Sequence, residues 1–340
     1  MLSCLNQINL IRYLIVWRVN SSLAYFPRFF SLDLSQILGT IISRRLPTGE
    51  KKKWEKSLAP LNNFIDKIST NKRIDHSSKI PETAWPLNSV LFTHPLKRTY
   101  GKDEFIFWEL KLFGEHADHG LFLEVILPAM EEASYTSEKD WNRRNRIWGH
   151  FDIQNIYTAR GEKWEPIVAD GKLNLGSRVH PTQWLEGLTV SPKTRRQFKI
   201  LNWITPSDLN ENLTSFYALN LPDEKEKMKF GKTPLLSFIL HSLIQRINKL
   251  LYQPSKGYTE INEILNVSDR SAFLQAFQQS LQVKITKNDF KRVHSNYPGK
   301  IIGAQEFSHI PREIVPYLDI ASILHLGSKT HFGCGTFDLR

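Results

Sequence analysis

Hydrophobic positions change period several times along the chain, and each change marks an element. Residues 8–20 are dense in Ile, Leu, Val, Tyr and Trp, which suits a buried strand. Pro27 signals a turn, after which Leu32, Leu34, Ile37, Leu38, Ile41 and Ile42 recur at helical spacing, with Ser31 placed to cap them. The charged run 50–56 follows Arg44 and Arg45, and residues 56–86 are polar without a clear period. Residues 89–93 read as a short strand, and 104–113 alternate through Phe105, Phe107, Glu109 and Lys111 as a second. Residues 121–132 predict a helix despite Pro128, and 146–157 predict a returning strand. The order β-α-β-β-α-β is that of a ferredoxin-like, RRM-like unit with four antiparallel strands under two helices.

The second half repeats the order. Residues 187–199 predict a strand, with Pro192 arguing for an edge or a bulge. Residues 202–231 read as a polar insertion. Residues 233–252 give the clearest helix, with an apolar stripe of Leu236, Ile239, Leu240, Leu243, Ile247, Leu250 and Leu251 behind Thr233 and Pro234. Residues 281–295 and 300–307 predict a hairpin around Asn296-Tyr297-Pro298-Gly299. A helix over 311–326 and a strand over 331–339 close the chain. The fold class expected is α+β, with two tandem ferredoxin-like domains at 1–186 and 187–340, the glycine-, proline- and tryptophan-bearing stretch 159–187 linking them.

Composition adds a partner class. The 340 residues are 41% hydrophobic and 23% charged, ordinary for a globular protein. Lys and Arg number 45 against 34 Asp and Glu, a net charge of +11 that attracts polyanions, nucleic acid foremost and an anionic membrane surface second. Arg12 and Arg18 break the apolar N-terminal run, so no stretch reaches the roughly 18–20 residues of a membrane span, and no signal-peptide pattern precedes it. Cys4 and Cys334 form neither a metal motif nor a disulfide framework, which fits a reducing cytoplasm.

The richest candidate chemistry lies at the C-terminus: Leu324-His325-Leu326-Gly327-Ser328-Lys329-Thr330-His331-Phe332-Gly333-Cys334-Gly335. Gly327, Gly333 and Gly335 permit positive φ and close backbone approach. Successive N–H groups in such a loop bind anions. Lys329 supplies a point charge for phosphate, and Ser328 and Thr330 supply hydroxyls. The plainer reading is a glycine turn that only packs. Lys193, Arg195 and Arg196, and separately Arg143, Arg144 and Arg146, form basic clusters suited to a phosphate track. Trp141 and Trp148 flank the second cluster and read chiefly as core.

This terminal segment resembles the glycine-rich loop of RAMP proteins, in the form found in CRISPR repeat-processing endoribonucleases. Leu188-Thr189-Val190-Ser191-Pro192, Leu243-Ile244-Gln245-Arg246-Ile247 and Ile301-Ile302-Gly303-Ala304-Gln305-Glu306-Phe307 resemble further family segments, and Leu110-Lys111-Leu112-Phe113-Gly114 and 146–153 match more loosely. The likeness covers about residues 85–340. It implies metal-free cleavage of CRISPR precursor RNA beside its repeat hairpin, by attack of a 2′-hydroxyl on the adjacent phosphate. It also implies RNA contacts at the loop, a packing or RNA-contacting role for His325, no cofactor, and transfer of the product to CRISPR effector subunits; a homodimer is compatible with it.

Family members commonly place a histidine in or just after the first helix of the first domain. Residues 31–56 contain none here. Tyr25, Arg44, Lys52 and, further on, His76 are the candidates left for catalysis, beside Arg45, Lys51 and Lys53. His116 and His119 make an H-x-x-H pair, but no third ligand has metal spacing, so no metal site is expected. Two alternatives stay open: a RAMP subunit that grips RNA without cutting it, and a basic module that docks on protein or membrane.

Overall fold

The computed structural model of the chain describes residues 2–27, 29–69, 79–94, 97–135, 149–174, 176–188, 197–209, 234–252, 264–294 and 296–340. Strand β1 (Leu10–Val19) lies where the apolar run predicts it, and Tyr13, Ile15 and Trp17 are buried on one face. β2 (Leu23–Tyr25) leads to helix α1 (Phe30–Arg45). A second helix, α2 (Thr48–Ser69), occupies the stretch in which the sequence pattern predicts no element. Trp54, Leu58, Leu61 and Phe64 recur on one side of it and are buried, while Lys52, Lys53 and Pro60 face solvent. Water can serve the carbonyl that Pro60 leaves without an N–H partner. Gly39 lets the two helices approach, because a Cβ there would stand 2.7 Å from Leu58 Cδ2.

β3 (Ser89–Thr93), β4 (Thr99–Gly101) and β5 (Phe105–Phe113) follow. A short helical start capped by Asp118 runs through a wide turn at Phe122–Ile126 into α3 (Leu127–Tyr135). That widened turn accommodates Pro128, which cannot donate to the preceding turn. β6 (Phe151–Arg160), β7 (Lys163–Ala169) and β8 (Lys172–Leu173) complete a sheet of order β3-β5-β1-β6-β7-β8. Its first four members are the second, third, first and fourth strands of a ferredoxin-like unit. β7 and β8 extend it into the stretch expected to be linker.

In the second half, β9 (Ile200–Ser207), α4 (Leu236–Leu251), α5 (Val267–Gln282), β10 (Ile285–Asn288), β11 (Lys291–Arg292), β12 (Ile301–Phe307), α6 (Val315–Leu324) and β13 (Phe337–Leu339) form the second unit. The order β10-β12-β9-β13 is the same ferredoxin-like order. The fold is therefore α+β with two tandem ferredoxin-like sheets.

Three expectations shift. β9, with Leu201 and Trp203 on its buried side, takes the place of the second unit's first strand between β12 and β13, while most of the strand expected over 187–199 falls outside the described residues. The last strand covers only Phe337–Leu339, because Thr330–Phe332 winds into a 3-10 turn. Helix α5 was not expected at all. Residues Leu2, Cys4, Leu5, Ile8 and Leu10 join the core of the second unit, so the chain's first residues fasten one unit to the other. Among the described residues no helix is long and apolar enough to cross a membrane.

Candidate nucleic-acid interface

The glycine loop begins where α6 ends. The Ile323 carbonyl accepts from Lys111 Nζ of β5 at 2.6 Å, and the Leu324 carbonyl accepts from Arg246 Nε of α4 at 3.1 Å. Two buried cations thus cap the last carbonyls of the helix, where its dipole is negative. His325 then turns the chain with φ 60°. Its ring is fully buried, its Nδ1 lies 3.0 Å from the Cys334 carbonyl, and burial keeps the imidazole neutral. His325 is therefore placed as a packing residue, one of the two roles expected of it, and not on the surface where RNA would reach it.

The glycines answer to the protein's own backbone. A Cβ on Gly327 would lie 2.3 Å from the Asp208 carbonyl, one on Gly333 2.7 Å from the Leu91 carbonyl, and one on Gly335 1.9 Å from the Leu326 carbonyl. All three have φ between 77° and 84°. Gly333 and Gly335 are buried, so they seat the loop against β3 and β9 and do not face a ligand. His331, also buried and pushed down to about 3 by that burial, bonds Ser89. Ser31 Oγ, in the first turn of α1, donates to the Phe332 carbonyl at 2.8 Å.

The segment Gly327–Thr330 keeps partial exposure. Ser328 N–H donates to the Asp208 carbonyl at 2.9 Å, and Lys300 pairs with the Asp208 carboxylate at 2.8 Å. Lys329 sits in the left-handed region at φ 60°. Its backbone N–H donates to Glu82 Oε2 at 2.9 Å and its ammonium to Glu82 Oε1 at 2.7 Å. Partial burial would raise the Glu82 carboxyl, but the Lys329 hydrogen bonds and charge overcome it and hold the group below its ordinary value. The loop thus grips an oxyanion with one main-chain and one side-chain donor. The Glu82 partnership and Asp33, which burial pushes up to about 7 in the first turn of α1, carry no sequence signal of their own.

The other predicted residues scatter. Tyr25 ends β2 and is 51% exposed. Arg44 lies at the opposite end of α1 from Ser31, about 20 Å along the helix axis at ~1.5 Å per residue, and Lys52 lies beyond it, on the exposed side of the start of α2. They are not brought to the loop. His76, Arg143, Arg144, Lys193, Arg195 and Arg196 fall outside the described residues. His116 Nδ1 accepts from Asn88 N–H at 3.3 Å, and His119 Nδ1 lies 3.0 Å from the Tyr13 hydroxyl. Among the described residues no three His, Cys, Asp or Glu side chains group to hold a metal.

Residues 201–337 match the family model described as CRISPR-associated endoribonuclease Cas6. A search of curated proteins finds no match. Among solved structures, the chain is similar to a partial Cas6-RT-Cas1–Cas2 complex at 10% identity and TM-score 0.49, covering 98% of this chain and 46% of that one. It is similar to the corresponding Cas6-RT-Cas1–Cas2 complex at 10% identity and TM-score 0.49, covering 98% and 29%. A Cas6 product complex gives 14% identity and TM-score 0.42 over 97% of this chain and 100% of that one. The chain spans under half the length of the first two. Residues 201–337, which hold the second sheet and the glycine loop, are thus the part of the chain that is similar to the CRISPR-associated endoribonuclease Cas6 family.

Proposed function

We propose that the chain cuts CRISPR repeat RNA beside its hairpin without a metal ion. The 2′-oxygen attacks the neighbouring phosphorus, the bond to the 5′-oxygen breaks, and a cyclic phosphate and a free 5′-hydroxyl remain. The observation that supports this is the seat at Lys329, where a backbone N–H and an ammonium converge on one carboxylate. A phosphate oxygen has the same charge and acceptor geometry. Ser328 and Thr330 border the seat, and the net charge of +11 draws RNA to it.

The reaction needs one proton taken from the 2′-hydroxyl and one given to the leaving oxygen. One of these roles is assigned to Asp33, whose carboxyl is raised by burial to about 7 and which stands two residues along α1 from Ser31, the donor to the Phe332 carbonyl. Tyr25 and His76 are the candidates for the other. Arg44 and Lys52, remote from the loop, would hold RNA further along, as would the clusters at Arg143 and Arg144 and at Lys193, Arg195 and Arg196. The product would pass to CRISPR effector subunits.

The test is incubation of the protein in EDTA with repeat RNA, beside a copy carrying a 2′-deoxy sugar 5′ of the cut. A single cut in the first and none in the second is the expected result. Tight binding with no cut would replace cleavage by a gripping role. Neither binding nor cutting would overturn the RNA reading.

A further inference from the structure

The outer face of the first sheet is covered over only part of its length. Leu10, Val90, Phe92 and Phe113 on that face belong to the core of the second unit, and Glu109 and Lys111 are buried beside them. Beyond this cover the same face is open, and there β5 presents Phe105 and Phe107, 48% and 42% exposed. Their strand neighbours Ile106 and Trp108 point into the core and are fully buried, so the two phenyl rings stand on the solvent side by strict alternation. Phe105 lies opposite Arg18 and Phe107 opposite Val16 on β1, and those in turn face Asp152 and Asn155 on β6. His94, exposed at the end of β3, donates its backbone N–H to the Phe107 carbonyl.

We infer that this open half-face, Phe105 and Phe107 with His94 and Arg18, is a stacking platform for the bases of single-stranded RNA that flanks the repeat hairpin. The inference rests on the RNA reading above and adds a site to it. Alternate residues on a strand stand about 7 Å apart, a separation that two successive unstacked bases can match. The rings occupy the third of four strands, and β5 and β1 are the central pair of the ferredoxin-like order, the place where a sheet of this topology offers bases a flat surface. Arg18, Asp152, Asn155 and His94 interleave with the rings and suit the polar edges of bases. A protein-docking patch would need a contiguous apolar area, which this face lacks. The platform's edge is held against the base of the loop: the buried Phe92 ring lies 4.6 Å from His94 and 5.6 Å from His325.

The experiment compares the full chain with the F105L/F107L variant, which keeps apolar bulk and loses the aromatic faces, and with F105Y/F107Y, which keeps them. The probes are a fluorescein-labelled repeat hairpin and the same hairpin with its single-stranded flank, read by anisotropy, with thermal melts confirming the fold. The flank should tighten binding to the native protein. The leucine variant should lose about tenfold or more of the flanked affinity, keep the bare-hairpin affinity, and be rescued by the tyrosines. Equal binding of the flanked RNA by the leucine variant and the native protein, or no gain from the flank in the native protein, overturns the platform while leaving the hairpin reading intact. No binding of either RNA by the native protein overturns both.

Discussion

The ammonium of Lys111, on the third strand of the first ferredoxin-like unit, donates to the Ile323 carbonyl at the end of the second unit's last helix at 2.6 Å. The same ammonium lies 3.7 Å from Glu109, which pairs with Arg12 at 2.6 Å. Burial pushes Lys111 down to about 7, against the attraction of Glu109. The joint between the units is thus ionic at its centre and apolar around it, and it sets where the glycine loop begins.

Lys111→Met should destabilise the protein by about 3–5 kcal/mol, because it leaves Glu109 and the Ile323 carbonyl buried with fewer donors. Urea unfolding measures this. The double variant Lys111→Met with Glu109→Gln should recover part of the loss, a non-additivity expected of a shared network. Strict additivity would place the two residues in independent sites.

Acid should act on the same joint. Burial alone would raise Glu109, but Arg12 and Lys111 outweigh it and hold its carboxyl below its ordinary value of 4.5. A depressed carboxylate contributes stability that is present above its unfolded-state value and lost as the pH falls through the folded one. Unfolding free energy measured downward from pH 4.5 should therefore fall less steeply in Glu109→Gln than in the native protein.

Glu82 occupies the seat proposed for phosphate, and under that proposal it would compete with RNA. Glu82→Gln should tighten repeat-RNA binding by about threefold, the scale of one exposed ion pair. Lys329→Ala should weaken binding and reduce the slope of log affinity against log salt by about one. Titrations at several salt concentrations read both. An unchanged salt slope in the lysine variant would mean that Lys329 holds Glu82 alone.

Gly335→Ala should cost about 2 kcal/mol or more in stability, since its φ is 84° and the new Cβ would collide with the Leu326 carbonyl. The folded fraction should keep its RNA affinity, because the residue faces protein. A melt and a binding isotherm on one sample separate the two effects.

Much of this architecture is legible in the pattern of residues. The alternation through Phe105 and Phe107 and the stripe Leu236, Ile239, Leu240 and Leu243 locate β5 and α4 because each element buries one face against its own unit. Helix α2 was obscured by its lysine run and Pro60, although Trp54, Leu58, Leu61 and Phe64 carry the helical period. β9 is not singled out by pattern, because Leu201 and Trp203 look no more strand-like than Leu188 to Val190; its pairing with β12 and β13 is what identifies it.

The sequence by itself determined the β-α-β-β-α-β order in both halves, the basic charge and the glycine loop, since period, composition and glycine placement are local properties. Tertiary structure alone decided the rest. It turned His325 inward, because a helix end buried at a domain joint leaves no room for a ligand. It set Gly333 and Gly335 against neighbouring carbonyls, and it brought Glu82 to Lys329 across 247 positions of chain. It also covered one half of a sheet and left Phe105 and Phe107 bare on the other, because the side chains that anchor the second unit's core, Leu10, Val90, Phe92 and Phe113, all stand at one end of that face.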